Sequence, residues 1–154
     1  MNVKQAVIDA SVALKWRLRD EEATSQADAL LDDFLTNKLD LCTPTLFDYE
    51  IANALKVAVT MGRLTEDEAL TAIADFQQYD ITRCDFREIQ SLAFQLAYQH
   101  RRSVYDGAYV ALAQTKRLWF YTGDKKLFNA VGKTLPEVRW IGDYQFDSIP
   151  DKRT

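Results

Sequence analysis

Short apolar runs alternate with longer stretches of helical periodicity along this chain of 154 residues. The short runs favour β-structure and predict five strands, at Gln5–Ile8, Leu39–Thr43, Ile81–Cys84, Leu118–Thr122 and Val138–Ile141. The longer stretches repeat apolar residues every three or four positions and predict six helices, at Ser25–Leu35, Leu46–Met61, Glu66–Tyr79, Phe86–His100, Val104–Arg117 and Lys125–Val131. Strands that alternate with helices form a parallel sheet covered on both faces. The pattern therefore predicts an α/β fold.

The composition is that of a globular domain, with 47% hydrophobic and 27% charged residues. The length suits one domain. No apolar run approaches the roughly 20 residues of a membrane-spanning helix. Asp9 interrupts the N-terminal apolar stretch before it reaches the length of a signal-peptide core. We therefore expect a cytoplasmic protein that does not enter a membrane.

The net charge is −4, from 19 basic and 23 acidic residues. A net negative charge argues against non-specific binding to nucleic acids. A local basic rim on such a protein can still bind a phosphate backbone. Cys42 and Cys84 lack CxxC spacing and lie in apolar segments. They are predicted to be buried thiols rather than a disulfide or a zinc site.

Two aspartates follow predicted strands. Asp9 lies in the string VIDAS and Asp124 in YTGDKKL, each at the carboxyl end of an apolar run. Open parallel sheets bind their ligands at this edge. Capping of the following helix is the alternative interpretation of Asp9, with Ser11 as the other possible cap.

Two further acids lie on helices. Glu50 falls on the same side of its helix as a set of apolar residues, which predicts an inward-facing carboxylate: Leu46, Phe47, Ala54, Val57 and Met61. A glutamate at the rim of the core, or one paired with an arginine, explains that placement equally well. Asp106 shares a stripe with inward-facing apolar residues, but Ser103 three positions earlier would also form a capping box with it.

All four acids are expected to converge on one edge of one sheet. Carboxylates a few ångströms apart cannot all stay ionised unless cations neutralise them. Ligation by oxygen alone, without clustered His or Cys, favours Mg²⁺ or Mn²⁺ over zinc. Sites of this kind bind phosphate esters through one or two metal ions.

Taken together, VIDAS, the acid on the helix after the second strand, YDGAYVALA and YTGDKKL resemble the PIN domain family, and within it the VapC-like toxins of type II toxin–antitoxin systems. The resemblance implies a three-layer α/β/α sandwich around a parallel five-stranded sheet. It places the PIN domain at residues 1–146 and leaves a polar C-terminal tail at 147–154. Gly107 stands where the family more usually has Ala, a change that we interpret as small.

The resemblance also implies an activity, a Mg²⁺- or Mn²⁺-dependent endoribonuclease. Its metal site would consist of Asp9, Glu50, Asp106 and Asp124, supported by the hydroxyls of Ser11 and Thr122, with Asn53 as a possible substrate contact. The implied partners are RNA, a second copy of the chain and a small antitoxin. The antitoxin's C-terminal segment is expected to cover the acidic cleft, to insert an Arg toward the carboxylates and to use an apolar groove along Leu46–Met61.

Basic residues flank three of the acids and could hold RNA phosphates: Lys15, Arg17 and Arg19 after Asp9, Arg101 and Arg102 before Asp106, and Lys125 and Lys126 after Asp124. Simple charge balancing is the alternative interpretation. His100 is given no role, because a lone His late in an amphipathic helix is more often structural.

Three other functions stay open. A phospho-accepting receiver domain would need an acid beside Asp9 and a Lys after the fifth strand, but Asp9 has no adjacent acid and Ile141-Gly142-Asp143 contains no Lys. A PIN-fold binding module with little turnover and a housekeeping RNA-processing nuclease are the other two. The sequence does not separate them from a toxin, because fold does not fix substrate.

Overall fold

The computed structural model describes residues 3–151 and contains a five-stranded sheet in the order β3-β2-β1-β4-β5. All neighbouring strands are parallel. The strands are β1 (Lys4–Ile8), β2 (Leu39–Pro44), β3 (Thr82–Cys84), β4 (Trp119–Thr122) and β5 (Val138–Trp140). Each overlaps a predicted strand and differs from it by one residue at one end. The predicted parallel five-stranded sheet is confirmed.

Seven α-helices connect and cover the strands: α1 (Ala10–Leu14), α2 (Thr24–Leu35), α3 (Leu46–Thr60), α4 (Glu66–Gln78), α5 (Gln90–His100), α6 (Val104–Lys116) and α7 (Lys125–Val131). The short α1 was not predicted, because five residues are too few to show a helical period. The predicted helix Phe86–His100 divides into a 3₁₀ turn, Phe86–Glu88, and α5, since the Asp85 side chain caps the turn by accepting from Arg87 N.

Successive side chains of the central strand β1 enter opposite layers. Ile8 belongs to a buried cluster with residues of α1 to α4, whereas Val7 belongs to a second cluster with residues of α5, α6 and α7. The sheet therefore lies between two helical layers, as the predicted α/β/α sandwich requires.

The order of the strands creates a reversal point at the centre of the sheet. The chain runs outward from β1 through β2 to β3, then returns to place β4 on the other side of β1. Ile8 pairs with Tyr121, so the residues that follow β1 and β4 lie side by side. Open parallel sheets bind ligands outside the carboxyl ends of the strands at such a point.

The structure also bears on several smaller features of the chain. Thr65 and Glu68 form a capping box at the start of α4. Cys42 and Cys84 are both buried as thiols. The predicted tail at 147–154 extends beyond the described residues, and within the described part Ile149 is buried in the same cluster as Ile8. No helix within residues 3–151 is long and apolar enough to cross a membrane.

Candidate metal centre at the carboxyl edge of the sheet

Asp9 is a buried carboxylate at the end of β1, with 6% of its surface exposed. Ser11 Oγ donates to its Oδ1 at 2.5 Å, and Thr122 Oγ1 donates to its Oδ2 at 2.6 Å. Oδ1 also accepts from Val12 N at 3.2 Å, so the alternative interpretation of Asp9 as a helix cap is correct as well. One carboxylate therefore caps α1 and binds the two predicted supporting hydroxyls.

Burial raises the pKa of Asp9 to about 6, even though the hydrogen bonds from Ser11, Thr122 and Val12 act to lower it. The negative charge of Glu50 adds to the increase. A buried carboxylate with a raised pKa is stabilised by a cation or by a proton.

Asp124 is brought to this carboxylate by the tight turn after β4. Gly123 N donates to Ser11 Oγ at 2.8 Å, and Asp124 N donates to Thr122 Oγ1 at 3.0 Å. A Cβ atom at Gly123 would lie 2.9 Å from the backbone oxygen of Ser11, so only glycine allows this approach. Asp124 Oδ1 then caps α7 by accepting from the amides of residues 126 and 127.

Glu50 lies half-buried in the first turns of α3, at the rim of the core, which is the alternative interpretation of its placement. The buried face of the helix consists of Phe47, Ile51, Leu55 and Ala58. Apart from Phe47, the apolar residues on Glu50's own side are less buried, and Val57 is 43% exposed. This side is the edge of the core. Burial still raises the pKa of Glu50, Tyr109 acts against it through a hydrogen bond to Oε1, and Asp106 contributes to the increase.

Asp106 projects from the first turn of α6. Ser103 caps the helix by accepting from Asp106 N at 3.0 Å, but the Asp106 carboxylate does not complete a capping box. Instead Arg102 Nε donates to its Oδ2 at 3.1 Å. Burial raises the pKa of Asp106, Arg102 lowers it, and the charge of Asp124 raises it.

The predicted acids thus form a connected series. Glu50 raises the pKa of Asp9, Asp106 raises that of Glu50, and Asp124 raises that of Asp106. Each carboxylate lies within electrostatic range of the next. Within residues 3–151, however, no group of three His, Cys, Asp or Glu side chains is arranged to hold one ion between them.

The predicted basic rim needs a correction at Lys15. This side chain is 2% exposed, with Nζ donating to Glu22 O at 2.7 Å, because its stem packs beneath the turn at Gly123. Arg17 and Arg19 are engaged by Asp75 and Asp28. Arg19 is exposed although it is paired, and the exposed rim residues for which the described part of the chain shows no ion pair are Arg101, Lys125 and Lys126.

Asn53 is exposed one turn after Glu50, and His100 is half-buried. Sequence reasoning missed Tyr109, which is 2% exposed and donates its hydroxyl to Glu50 Oε1 at 2.5 Å. Its position three residues after Asp106, one helical turn away, was the available signal.

Residues 6–133, most of the chain, match the PIN domain family. The chain belongs to the PIN domain family. Ribonuclease VapC3 of Pyrobaculum aerophilum is 34% identical over 110 residues, which cover 70% of this chain and 80% of that protein. Ribonuclease VapC12 of Mycobacterium tuberculosis is 29% identical over 126 residues, which cover 82% of this chain and 92% of that protein. The predicted resemblance to VapC proteins is confirmed.

The PIN domain also resembles a chain in the structure of a toxin–antitoxin complex from Klebsiella pneumoniae, with a TM-score of 0.57 and 16% identity. The match covers 87% of this chain and 95% of the other. At this level of identity the similarity is one of fold.

Proposed function

We propose that this PIN domain protein is a metal-dependent endoribonuclease in which Asp9, Glu50, Asp106 and Asp124 hold Mg²⁺ or Mn²⁺. The observation that carries the proposal is the connected series of carboxylates, three of which have raised pKa values. The donors are all oxygens, which suit hard divalent cations. Mg²⁺ commonly keeps several waters and takes one or two carboxylates, so it does not need three side chains converging on one point.

When bound, such a cation makes water a stronger nucleophile at neutral pH and stabilises the departing oxygen of a phosphodiester. Ser11 and Thr122 hold both oxygens of Asp9 in place through their hydroxyl groups. Arg102 balances the charge of Asp106 at the mouth of the site. Arg101, Lys125 and Lys126 are exposed and would meet RNA phosphates, with Asn53 as a further substrate contact, and Lys125 Nζ lies over the Trp140 ring, 4.5 Å from its centroid.

The names of the relatives support the choice of RNA as substrate, since both are called ribonucleases. We further propose that the chain is the toxin of a toxin–antitoxin pair acting in the cytoplasm, where its RNA substrate is. The surface of α3 supports a protein partner, because an apolar stripe with Val57 43% and Met61 70% exposed leads away from Glu50. An antitoxin helix on this stripe would carry an Arg to the carboxylates.

A homodimer is proposed for a different surface. Phe94 and Tyr98 stack on the exterior of α5 and are 62% and 82% exposed, and Tyr105 at the start of α6 is 64% exposed. A cluster of exposed aromatic residues is typical of protein–protein interfaces. Light scattering after size exclusion should give twice the 17.7 kDa mass of the chain, and Tyr98→Glu should give a monomer. A wild-type monomer would refute the dimer.

The test of the nuclease proposal is cleavage of total RNA in Mg²⁺, in Mn²⁺ and in chelator, with the new 5′ ends mapped. Asp9→Asn and Asp106→Asn should abolish metal-dependent cleavage and keep the fold. Asp40→Asn, an exposed acid near the amino end of β2, is the matched control and should cleave as wild type does. Absence of cleavage by wild type with either metal would favour the binding module.

The pattern of ends separates a toxin from a housekeeping nuclease. A toxin should cut few sites and arrest growth when expressed, and co-expression with the neighbouring reading frame should yield a complex without cleavage. Wild-type protein that causes no growth defect and has no co-purifying partner would contradict the toxin assignment while leaving the nuclease assignment intact.

A further inference from the structure

Tyr109 is a buried aromatic residue of α6, one turn after Asp106, with 2% of its surface exposed. Its ring stacks on Phe120 of β4, with the ring centroids 5.5 Å apart and an interplanar angle of 15°. The stack fixes the ring on the sheet side of α6. The only freedom left to this side chain is the rotation of its hydroxyl.

The direction of that hydroxyl is also fixed. The Tyr109 O–H donates to Glu50 Oε1 at 2.5 Å. A hydrogen bond therefore runs from a buried, stacked ring to one oxygen of a half-buried glutamate.

We propose that Tyr109 is a positioning residue that holds Glu50 in the orientation needed to bind the metal ion, with the stack on Phe120 as the anchor of Tyr109. The proposal rests on the proposed metal-dependent activity. It assigns Tyr109 no contact with RNA or with the ion.

The elements that carry the two residues explain why Glu50 needs such an anchor. Glu50 is on α3, which packs in the helical layer with Ile8, whereas Tyr109 packs in the opposite layer with Val7. The Tyr109–Glu50 hydrogen bond joins the two layers beyond the end of the sheet. It also makes α6 hold two of the four acids, Asp106 directly and Glu50 through Tyr109.

A glutamate side chain has three rotatable bonds, and fixing them before binding lowers the entropy lost when a ligand binds. Outer-shell partners that orient a metal-binding carboxylate typically change metal affinity or activity by about 10- to 100-fold when they are removed. Tyr109→Phe removes the hydroxyl and keeps the ring that stacks on Phe120, so it isolates this effect.

The experiment measures Mn²⁺ binding by calorimetry for wild type, Tyr109→Phe and Tyr144→Phe. Tyr144 is the matched control, because its buried hydroxyl donates to Asp33 Oδ2 at 2.7 Å away from the four acids. Tyr109→Phe should bind Mn²⁺ about 10- to 100-fold more weakly. Tyr144→Phe should bind it as wild type does.

A second readout is RNA cleavage as a function of Mn²⁺ concentration. For Tyr109→Phe the half-saturating concentration should rise by about the same factor, with cleavage restored at saturating Mn²⁺, which a general packing defect would not produce. Should Tyr109→Phe fail to fold, Phe120→Leu keeps a buried apolar side chain but removes the stack that holds the Tyr109 ring, and it should shift the Mn²⁺ affinity in the same direction by a smaller factor.

The outcomes separate the two proposals. Wild-type affinity in folded Tyr109→Phe would overturn the positioning role and leave the nuclease proposal standing. If Tyr109→Phe does not fold, wild-type affinity in Phe120→Leu overturns the role instead. If wild type itself binds no Mn²⁺ and cleaves no RNA, the metal site and the role of Tyr109 are both wrong.

Discussion

Thr122 and Asp9, which end neighbouring strands, are joined by a hydrogen bond of 2.6 Å from the Thr122 hydroxyl to Asp9 Oδ2. This bond and the one from Ser11 lower the pKa of Asp9, but burial outweighs them and leaves it at about 6. The apoprotein therefore carries a carboxylate whose ionisation opposes folding. The pH dependence of stability should show this.

Because the ordinary pKa of an aspartate is 3.8 and burial raises that of folded Asp9 to about 6, the folded state binds the proton more tightly than the unfolded state. In chelator, this residue's contribution to stability is complete below pH 4 and is lost as the pH rises through 6. The loss amounts to ~3 kcal/mol. Asp9→Asn stays neutral and should lack it.

Urea unfolding of wild type and Asp9→Asn between pH 4 and 7.5 measures this contribution as a difference. Titration of the other acids is common to both proteins, which makes the variant its own control. The two curves should diverge by ~3 kcal/mol, with wild type losing stability as the pH rises. If the unfolding free energies of the two proteins instead change in parallel with pH, burial does not raise the pKa of Asp9.

Gly107 stands where the family more usually has Ala, and the sequence analysis interprets this change as small. The structure gives Gly107 a larger role. A Cβ atom at this position would overlap the carbonyl oxygen of Ala93 and lie 3.2 Å from Ala97 Cβ. Ala is the better helix former by about 1 kcal/mol, but separating two packed helices costs typically 1–3 kcal/mol. We expect Gly107→Ala to destabilise the fold by ~1 kcal/mol or more in urea unfolding.

Thr115→Ala, on the exposed part of the same helix, is the control for helix propensity. It should change the free energy of unfolding by less than about 0.5 kcal/mol. A Gly107→Ala variant more stable than wild type would show that α5 and α6 can separate without loss. Position 107 would then accept Ala as well as Gly.

The corrected basic rim predicts which cations bind RNA. In chelator, where cleavage is absent, Lys125→Met and Arg101→Met should weaken RNA binding and reduce the slope of log affinity against log salt by about 0.7 each. Lys15→Met should leave both quantities unchanged, because Lys15 is buried. It should instead lower stability by ~1–3 kcal/mol, since Glu22 O loses its donor. An altered salt slope for Lys15→Met would place that ammonium at the RNA.

The sheet could be predicted from the sequence because buried parallel strands are nearly continuous apolar runs, as in β1 and β4. The strand ends then placed Asp9 and Asp124 together through the parallel pairing alone. This part of the site follows from local patterns and from one topological rule.

What the sequence could not show depends on contacts between distant elements. Lys15 appeared to be a surface cation because nothing nearby in the sequence indicates that Gly123 packs over its stem. For Glu50 the sequence leaves an inward-facing position and a position at the rim of the core equally open, because helical periodicity does not separate the core face of a helix from its edge. Tyr109 meets Glu50 across 59 positions of the chain, and only the arrangement of layers reveals it.

The central claim, that the four acids share a cation, is tested most directly by thermal melts of wild type and Asp106→Asn in chelator and in Mg²⁺. Burial and Asp124 raise the pKa of Asp106 despite Arg102, so neutralising it should leave the variant melting at least as high as wild type in chelator. Mg²⁺ that binds only the folded state should stabilise wild type by roughly 2.7 kcal/mol at a hundredfold excess over Kd, and the variant should lose most of that gain. If Asp106→Asn melts clearly lower in chelator and gains as much from Mg²⁺ as wild type does, Asp106 is a structural partner of Arg102 and the shared cation site is contradicted.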